Sequence, residues 1–198
     1  YQSLIDYQIS KIKDFDDEDE RVKLLVIGDS YAEDLINAIK ESNLESIYQL
    51  SSFRIPGNCG VLYIDREYIQ QYQPTSCYNR PSFFNEPKLN EILMHADEVW
   101  IESSWHDWQL DFLQDSLIEL QKVKSNIVLF GSKEFGIKSA NQYKNQYGEE
   151  GLSKPFPISK RQRYLTKALS EIADTTGIQY IDPMFVICQS YETCQHSF

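Results

Sequence analysis

Residues 23–35 read KLLVIGDSYAEDL, and this stretch decides the fold. Its first half, Leu24 to Ile27, is an unbroken aliphatic run, which is typical of a strand covered on both faces of a parallel sheet. Gly28 ends the run, and from Tyr31 onward the apolar residues recur at helical spacing. The stretch therefore predicts a buried strand, a tight turn and a helix.

Asp29 and Ser30 stand where the predicted strand gives way to the helix. A serine hydroxyl at this point lies near free backbone N–H groups and the positive end of the helix dipole. Such surroundings stabilise an attacking alkoxide and the oxyanion that it forms. Because Asp and Ser are also ordinary helix-capping residues, these two residues alone leave both a nucleophile and a simple cap open.

Further along the chain, apolar runs alternate with helical patterns. Strands are predicted at 46–53, 98–103, 126–130 and 178–181, and helices at 31–42, 86–95, 110–120 and 158–176. Five strands alternating with helices predict an α/β domain, a doubly wound five-stranded parallel sheet between helices. Sites in such sheets lie beyond the carboxyl ends of the strands, which brings Ser30, Gly57 and Trp105 to one edge.

Composition and charge exclude several classes of protein. The 198 residues suffice for one domain with a buried core, and 41% hydrophobic and 25% charged residues are typical of a globular protein. No apolar run is long enough to span a bilayer. The net charge of −11 argues against nucleic acid and anionic membranes as partners. Because the chain starts at Tyr1 without a Met, we expect a fragment or a mature segment.

Residues 1–22 are expected to form a helical extension and linker ahead of the domain at 23–198. The first part carries apolar residues at roughly helical spacing, namely Leu4, Ile5, Ile9 and Ile12. Six acidic residues then fall between positions 14 and 20. Such a charge run is typical of a solvated linker.

The four cysteines all lie among turn-forming residues: Cys59, Cys77, Cys188 and Cys194. Two disulfides in an oxidising compartment are the favoured interpretation, and four unlinked thiols in a cytosolic protein are the alternative. The pairing stays open, although a bridge from Cys59 to Cys77 would hold the aromatic loop 60–85. Neither a phosphate-binding glycine pattern nor a ligand cluster occurs, so no cofactor and no metal are expected.

Gly28-Asp29-Ser30 directly after the first hydrophobic strand resembles the first signature block of the SGNH hydrolase family, also called GDSL-type esterases. Trp105 and the cysteine placement narrow the resemblance to the SGNH domain attached to membrane-bound acyltransferase-3 proteins, which O-acetylate bacterial surface glycans. The resemblance implies a flavodoxin-like strand order and Ser30 as the nucleophile. It also implies a periplasmic or extracytoplasmic location, tethered to a membrane domain.

The sequence departs from the family pattern at two blocks. Gly57 matches the oxyanion glycine by its place, but Ser103-Ser104-Trp105-His106 stands where the family has Gly-x-Asn. The Asp-x-x-His block that supplies the base after the last strand is absent. Either His196 is the base in a variant arrangement, or the block lies downstream of Phe198.

The function that follows is acyl transfer, with acetyl as the expected group, to bacterial surface glycans, or ester hydrolysis on them, through an acyl-Ser30 intermediate. Ser30 and His196 are the predicted catalytic residues, and Asp29, Gly57 and Trp105 are assigned to oxyanion and substrate binding. The partners are an acyl donor, a glycan acceptor and a membrane-embedded acyltransferase domain. One alternative is a non-catalytic SGNH-like domain that binds a glycan or a partner. Another is a flavodoxin-like ligand-binding domain in which Ser30 only caps a helix.

Overall fold

A computed structural model describes residues 13–64, 67, 70–72, 77, 86–133, 144–145, 148 and 156–194. The strands in these residues are β1 (Val22–Gly28), β2 (Tyr48–Arg54), β3 (Glu98–Glu102), β4 (Ile127–Phe130), β5 (Phe156–Pro157), β6 (Gln179–Ile181) and β7 (Thr193–Cys194). Five of them form an all-parallel sheet in the order β2-β1-β3-β4-β6, and β5 pairs antiparallel with β7. This confirms the predicted α/β fold with its five-stranded parallel sheet.

The helices in the described residues are α1 (Ser30–Glu41), α2 (Pro87–His95), α3 (Asp107–Gln121), α4 (Lys160–Thr176) and α5 (Pro183–Cys188). The first four confirm the helices predicted from periodicity. The largest shift at a predicted boundary is at α3, which begins at Asp107 rather than at residue 110. α4 ends at Thr176 and is capped by Gly177, whose positive φ of 69° suits a residue without a side chain. α5 and the β5–β7 pair were not predicted, because six-residue and two-residue elements carry too little periodicity.

β1 lies inside the sheet, paired with β2 on one side and β3 on the other. Leu24 and Val26 pack against α1, whereas Leu25 and Ile27 belong to the larger core on the opposite face, to which α2, α3 and α4 contribute. All four side chains are fully buried. The unbroken aliphatic run is therefore explained, because each face of this strand is covered by helices.

The acidic segment before β1 is attached to the domain where it is described, from residue 13. The Gln49 side chain donates to the backbone oxygens of Asp16 and Asp19, both at 2.9 Å. Phe15 packs on the larger core, and Lys88 forms an ion pair with Asp14. These contacts attach the run to the domain, although five of its six acidic residues are exposed to solvent. That the run serves as a linker stays a prediction. The helix expected earlier lies outside the described residues, and the boundary at residue 22 stays a prediction.

Both expected disulfides are present, and they join Cys59 to Cys77 and Cys188 to Cys194. All four cysteines are thereby paired. Most of the aromatic loop 60–85 lies outside the described residues. Among the helices that are described, none combines the length and apolar character needed to cross a bilayer.

Candidate active site

Ser30 is the first residue of α1 and is exposed at the carboxyl edge of the sheet. The turn before it depends on Gly28, because a Cβ there would overlap the backbone oxygen of Glu102 and the Cβ of Ala32. A glycine thus lets α1 start close against β3. The local sequence therefore places a serine hydroxyl at the solvent rim, at the positive end of a twelve-residue helix.

Asp29 joins this turn to the end of β3. Its Oδ1 caps α1 by accepting from the Tyr31 N–H at 2.9 Å. Its Oδ2 accepts from the Ser103 hydroxyl at 3.1 Å and from both the backbone N–H, at 2.8 Å, and the hydroxyl of Ser104. With 5% of its surface exposed and both oxygens occupied by the chain, Asp29 aligns two strand ends rather than facing a substrate. Its expected contact with substrate therefore does not fit this placement.

Gly57 lies against the same carboxylate. A Cβ on Gly57 would overlap Asp29 Oδ2 and the Ser104 hydroxyl, so only glycine fits there. The Gly57 carbonyl is held from behind by the Gln109 side chain, whose Nε2 donates to it at 2.8 Å. The loop after β2 is thus fixed beside the turn that carries Ser30.

Two backbone donors at this edge are left for a ligand. Within the described residues, neither the Ser30 N–H nor the Gly57 N–H has a hydrogen-bond acceptor. By contrast, the Ser104 N–H, which stands near the place of the family's missing Asn, is already bound to Asp29. Two free N–H groups, one on Ser30 itself and one on the loop packed against Asp29, are donors of the kind that an oxyanion hole uses.

Trp105 is 1% exposed, and its indole N–H donates to the Phe130 carbonyl at 3.0 Å. Its own carbonyl accepts from Arg161 Nη2, also at 3.0 Å. A ring sealed in the core has no free face for a sugar. The assignment of Trp105 to substrate binding therefore does not fit this placement, because the side chain packs in the core.

The catalytic base is not placed. His196 lies outside the described residues, so its role stays a prediction. His106, the histidine at the carboxyl end of β3, is partly buried at the start of α3, two residues after Ser104.

Sequence reasoning missed Gln109 and the pair of serines that bind Asp29. Gln109 is fully buried on α3, at a position in line with the core residues Leu113, Leu117 and Leu120. The sequence signal was a polar residue at a helical position whose neighbours three and four residues away are apolar. A buried amide at such a position needs a hydrogen-bond partner, which marks it for a specific role.

Sequence reasoning also missed an ionic cluster next to the turn, in which Glu102 is buried and Asp34 is exposed. Glu102, at the end of β3, is 2% exposed, and its Oε1 lies 3.3 Å from Lys133 Nζ. Burial raises the pKa of Glu102 to about 7, although the charge of Lys133 acts in the opposite direction. Lys133 also donates to the Tyr31 carbonyl at 3.0 Å and pairs with Asp34 at 3.2 Å.

The fold and the site together define an α/β protein of the SGNH-hydrolase type, with a serine at the first strand-to-helix turn. The chain matches the family described as "SGNH domain (fused to AT3 domains)" over residues 6–197, and it belongs to this family. A comparison with curated proteins gives no match. Membership supports, in general terms, an acyltransferase- or hydrolase-like function on glycans. The family description also names acyltransferase-3 domains as fusion partners of such chains.

Proposed function

We propose that this chain transfers an acyl group, with acetyl as the expected group, to a bacterial surface glycan or hydrolyses such an ester, through an acyl-Ser30 intermediate. The observation that carries the proposal is an exposed Ser30 at the start of α1, on the sheet edge where the N–H groups of Ser30 and Gly57 have no acceptor among the described residues. Family membership supports the same chemistry.

The reaction would proceed in two halves. A base takes the Ser30 proton, the hydroxyl oxygen attacks the acyl carbonyl carbon of the donor, and the carbonyl oxygen becomes an oxyanion between the two N–H groups. The intermediate collapses, and the leaving group departs with the proton from the base. A sugar hydroxyl or water then gives its proton to the base and attacks the acyl carbon. As the bond from that carbon to the Ser30 oxygen breaks, the base returns the proton to this oxygen and restores the hydroxyl. Loss of one oxyanion donor typically costs about 10²–10³ in kcat.

The base is assigned to a histidine, either His196 or one downstream of Phe198. The partners are an acyl donor, a glycan acceptor and a membrane-embedded acyltransferase domain of the intact protein. An extracytoplasmic location is supported by the two disulfides, since disulfides persist mainly in oxidising compartments. No nucleic acid partner and no cofactor are part of the proposal.

The test is the labelling of the intact protein by a fluorophosphonate probe, which reacts with an activated serine, together with turnover of an acetyl ester. The Ser30→Ala variant should lose both signals. Ser42 lies at the other end of the same helix, so Ser42→Ala is the matched control and should keep both. Unchanged turnover in Ser30→Ala would remove the nucleophile from the proposal.

The alternative is a non-catalytic domain that binds a glycan or a partner protein. One observation favours it: the Ser104 N–H, a third possible oxyanion donor, is consumed by Asp29. In that case the wild-type protein would bind glycan but would not be labelled by the probe at Ser30.

A further inference from the structure

The residue that follows the proposed nucleophile is held by both of its backbone groups. The Tyr31 N–H donates to Asp29 Oδ1, and the Tyr31 carbonyl accepts from Lys133 Nζ at 3.0 Å. The Ser30–Tyr31 peptide unit carries that N–H, so the backbone of Ser30 is fixed from one side by Asp29. Lys133 fixes the next peptide unit from the other side.

Lys133 reaches this position from the segment after β4, and its side chain is only 15% exposed. The ammonium group also contacts Asp34 on α1 and Glu102 on β3, and it lies 5.1 Å from the centre of the Tyr31 ring. A cation beside a helix N-terminus is disfavoured by the helix dipole. The two carboxylates and the ring compensate for this and keep the ammonium in place.

Stability alone does not account for the cluster. Glu102 is almost fully buried, and within the described residues its Oε2 has no hydrogen-bond donor. A buried carboxylate with one oxygen unsatisfied is costly, and an apolar side chain would serve the core better. Glu102 also lies directly beside Gly28 in the β1–β3 register, at the base of the nucleophile turn.

We propose that Lys133 is a positioning residue for the Ser30 nucleophile: anchored on buried Glu102, its ammonium group holds the first turn of α1 and thereby the direction of the Ser30 hydroxyl. This inference rests on the proposed role of Ser30. Acyl transfer needs the attacking oxygen in near-attack geometry, and displacements of about 1 Å can cost about 10²-fold in rate.

The contact by which Lys133 holds the first turn of α1 depends on the ionisation of Glu102. The charged groups that face Glu102 are Lys133 from the segment after β4, Asp34 from α1 and Asp29 at its cap. Lys133 is attracted to the ionised carboxylate. As the pH falls and Glu102 takes up a proton, that attraction is lost and the first turn is held less firmly.

The first readout is the backbone ¹⁵N order parameters of Tyr31 and Ala32 in this chain. Lys133→Met keeps the aliphatic stem and removes the ammonium, and we expect the order parameters to fall from about 0.85 toward 0.6. Lys133→Arg, which keeps the charge and the donors, should restore them. Lys40→Met, at the far end of the same helix, is the matched control and should change nothing.

The second readout is the rate of fluorophosphonate labelling of Ser30 in the intact protein. Lys133→Met should slow labelling about tenfold or more, with recovery in Lys133→Arg. Should Lys133→Met not fold, Glu102→Gln, which keeps the shape, should lower the order parameters and flatten the pH dependence of labelling between pH 6 and 8. A wild-type protein that is not labelled would contradict the nucleophile, while the order parameters would still decide whether Lys133 holds the turn. Unchanged order parameters in the variant that folds overturn the inference.

Discussion

The buried carboxyl of Glu102 should make the stability of the domain depend on pH. Burial raises the pKa of Glu102 from its ordinary value of 4.5 to about 7 in the folded state. The folded chain therefore binds this proton more tightly than the unfolded chain does between these two values. The contribution of Glu102 to the free energy of unfolding is therefore fully present below pH 4.5 and is lost as the pH rises through 7.

The magnitude follows from the two pKa values. Between pH 5 and pH 8 the contribution of Glu102 to the free energy of unfolding should fall by about 2.5 kcal/mol. Glu102→Gln cannot take up or release this proton. The difference in unfolding free energy, wild type minus variant, should therefore decrease by about that amount over the same range.

The assay is urea unfolding of both proteins at several pH values from 5 to 8, with the free energy extrapolated to water. Glu98→Gln is the matched control, because Glu98 lies on the same strand and the same face, four residues before Glu102. This control should keep the wild-type pH dependence. Parallel curves for wild type and Glu102→Gln would refute the reasoning, since they would show that Glu102 titrates alike in folded and unfolded chains.

Three further changes test the scaffold of the site. Asp29→Ala removes a helix cap and the hydrogen bonds to the end of β3. It should lower the free energy of unfolding, measured in urea, by about 3 kcal/mol. A loss below about 1 kcal/mol would show that these hydrogen bonds do not hold the turn to β3. Gln109→Leu removes one of two donors to the Gly57 carbonyl, the other being the Gly60 N–H, and should reduce kcat for an acetyl ester about tenfold. Gln121→Leu breaks a similar bond at the other end of α3 and should leave kcat unchanged. Equal kcat values for the two variants would exclude a positioning role for Gln109. Replacing Cys59 and Cys77 by Ser opens a loop with a sequence separation of 18. The free energy of unfolding, measured by heat or urea, should fall by about 3 kcal/mol. An unchanged unfolding midpoint would show that the disulfide adds little to stability.

The fold was accessible from the sequence because its signals are local. The run from Leu24 to Ile27 has no polar residue, since β1 is covered on both faces, and Gly28 marks the turn because no Cβ fits there. Ser30 and Gly57 could be brought together by topology alone, because carboxyl ends of parallel strands share an edge.

The remaining parts of the site depend on side-chain direction and tertiary contacts. Topology placed Trp105 at the carboxyl edge of the sheet. It could not tell whether the ring points to solvent or into the core, where its N–H donates to the Phe130 carbonyl. Likewise, nothing local connects Lys133 with Glu102, because Lys133 follows β4 and Glu102 ends β3, so the two meet only once the sheet has formed. Asp29 was recognised as a cap, but its bonds to the end of β3 span more than 70 positions of sequence.

The hydrogen bonds between Asp29 and the two serines after β3 also make the proposed catalysis depend on correct pairing of the strands. A slip of β3 by one position against β1 would turn every β3 side chain to the opposite face and carry Ser104 away from the carboxylate. Molecules with misaligned strands would lose the turn that presents Ser30 as well. With Ser30 as the proposed nucleophile, titration of reactive serine in a preparation would count only those molecules whose central strands are correctly paired.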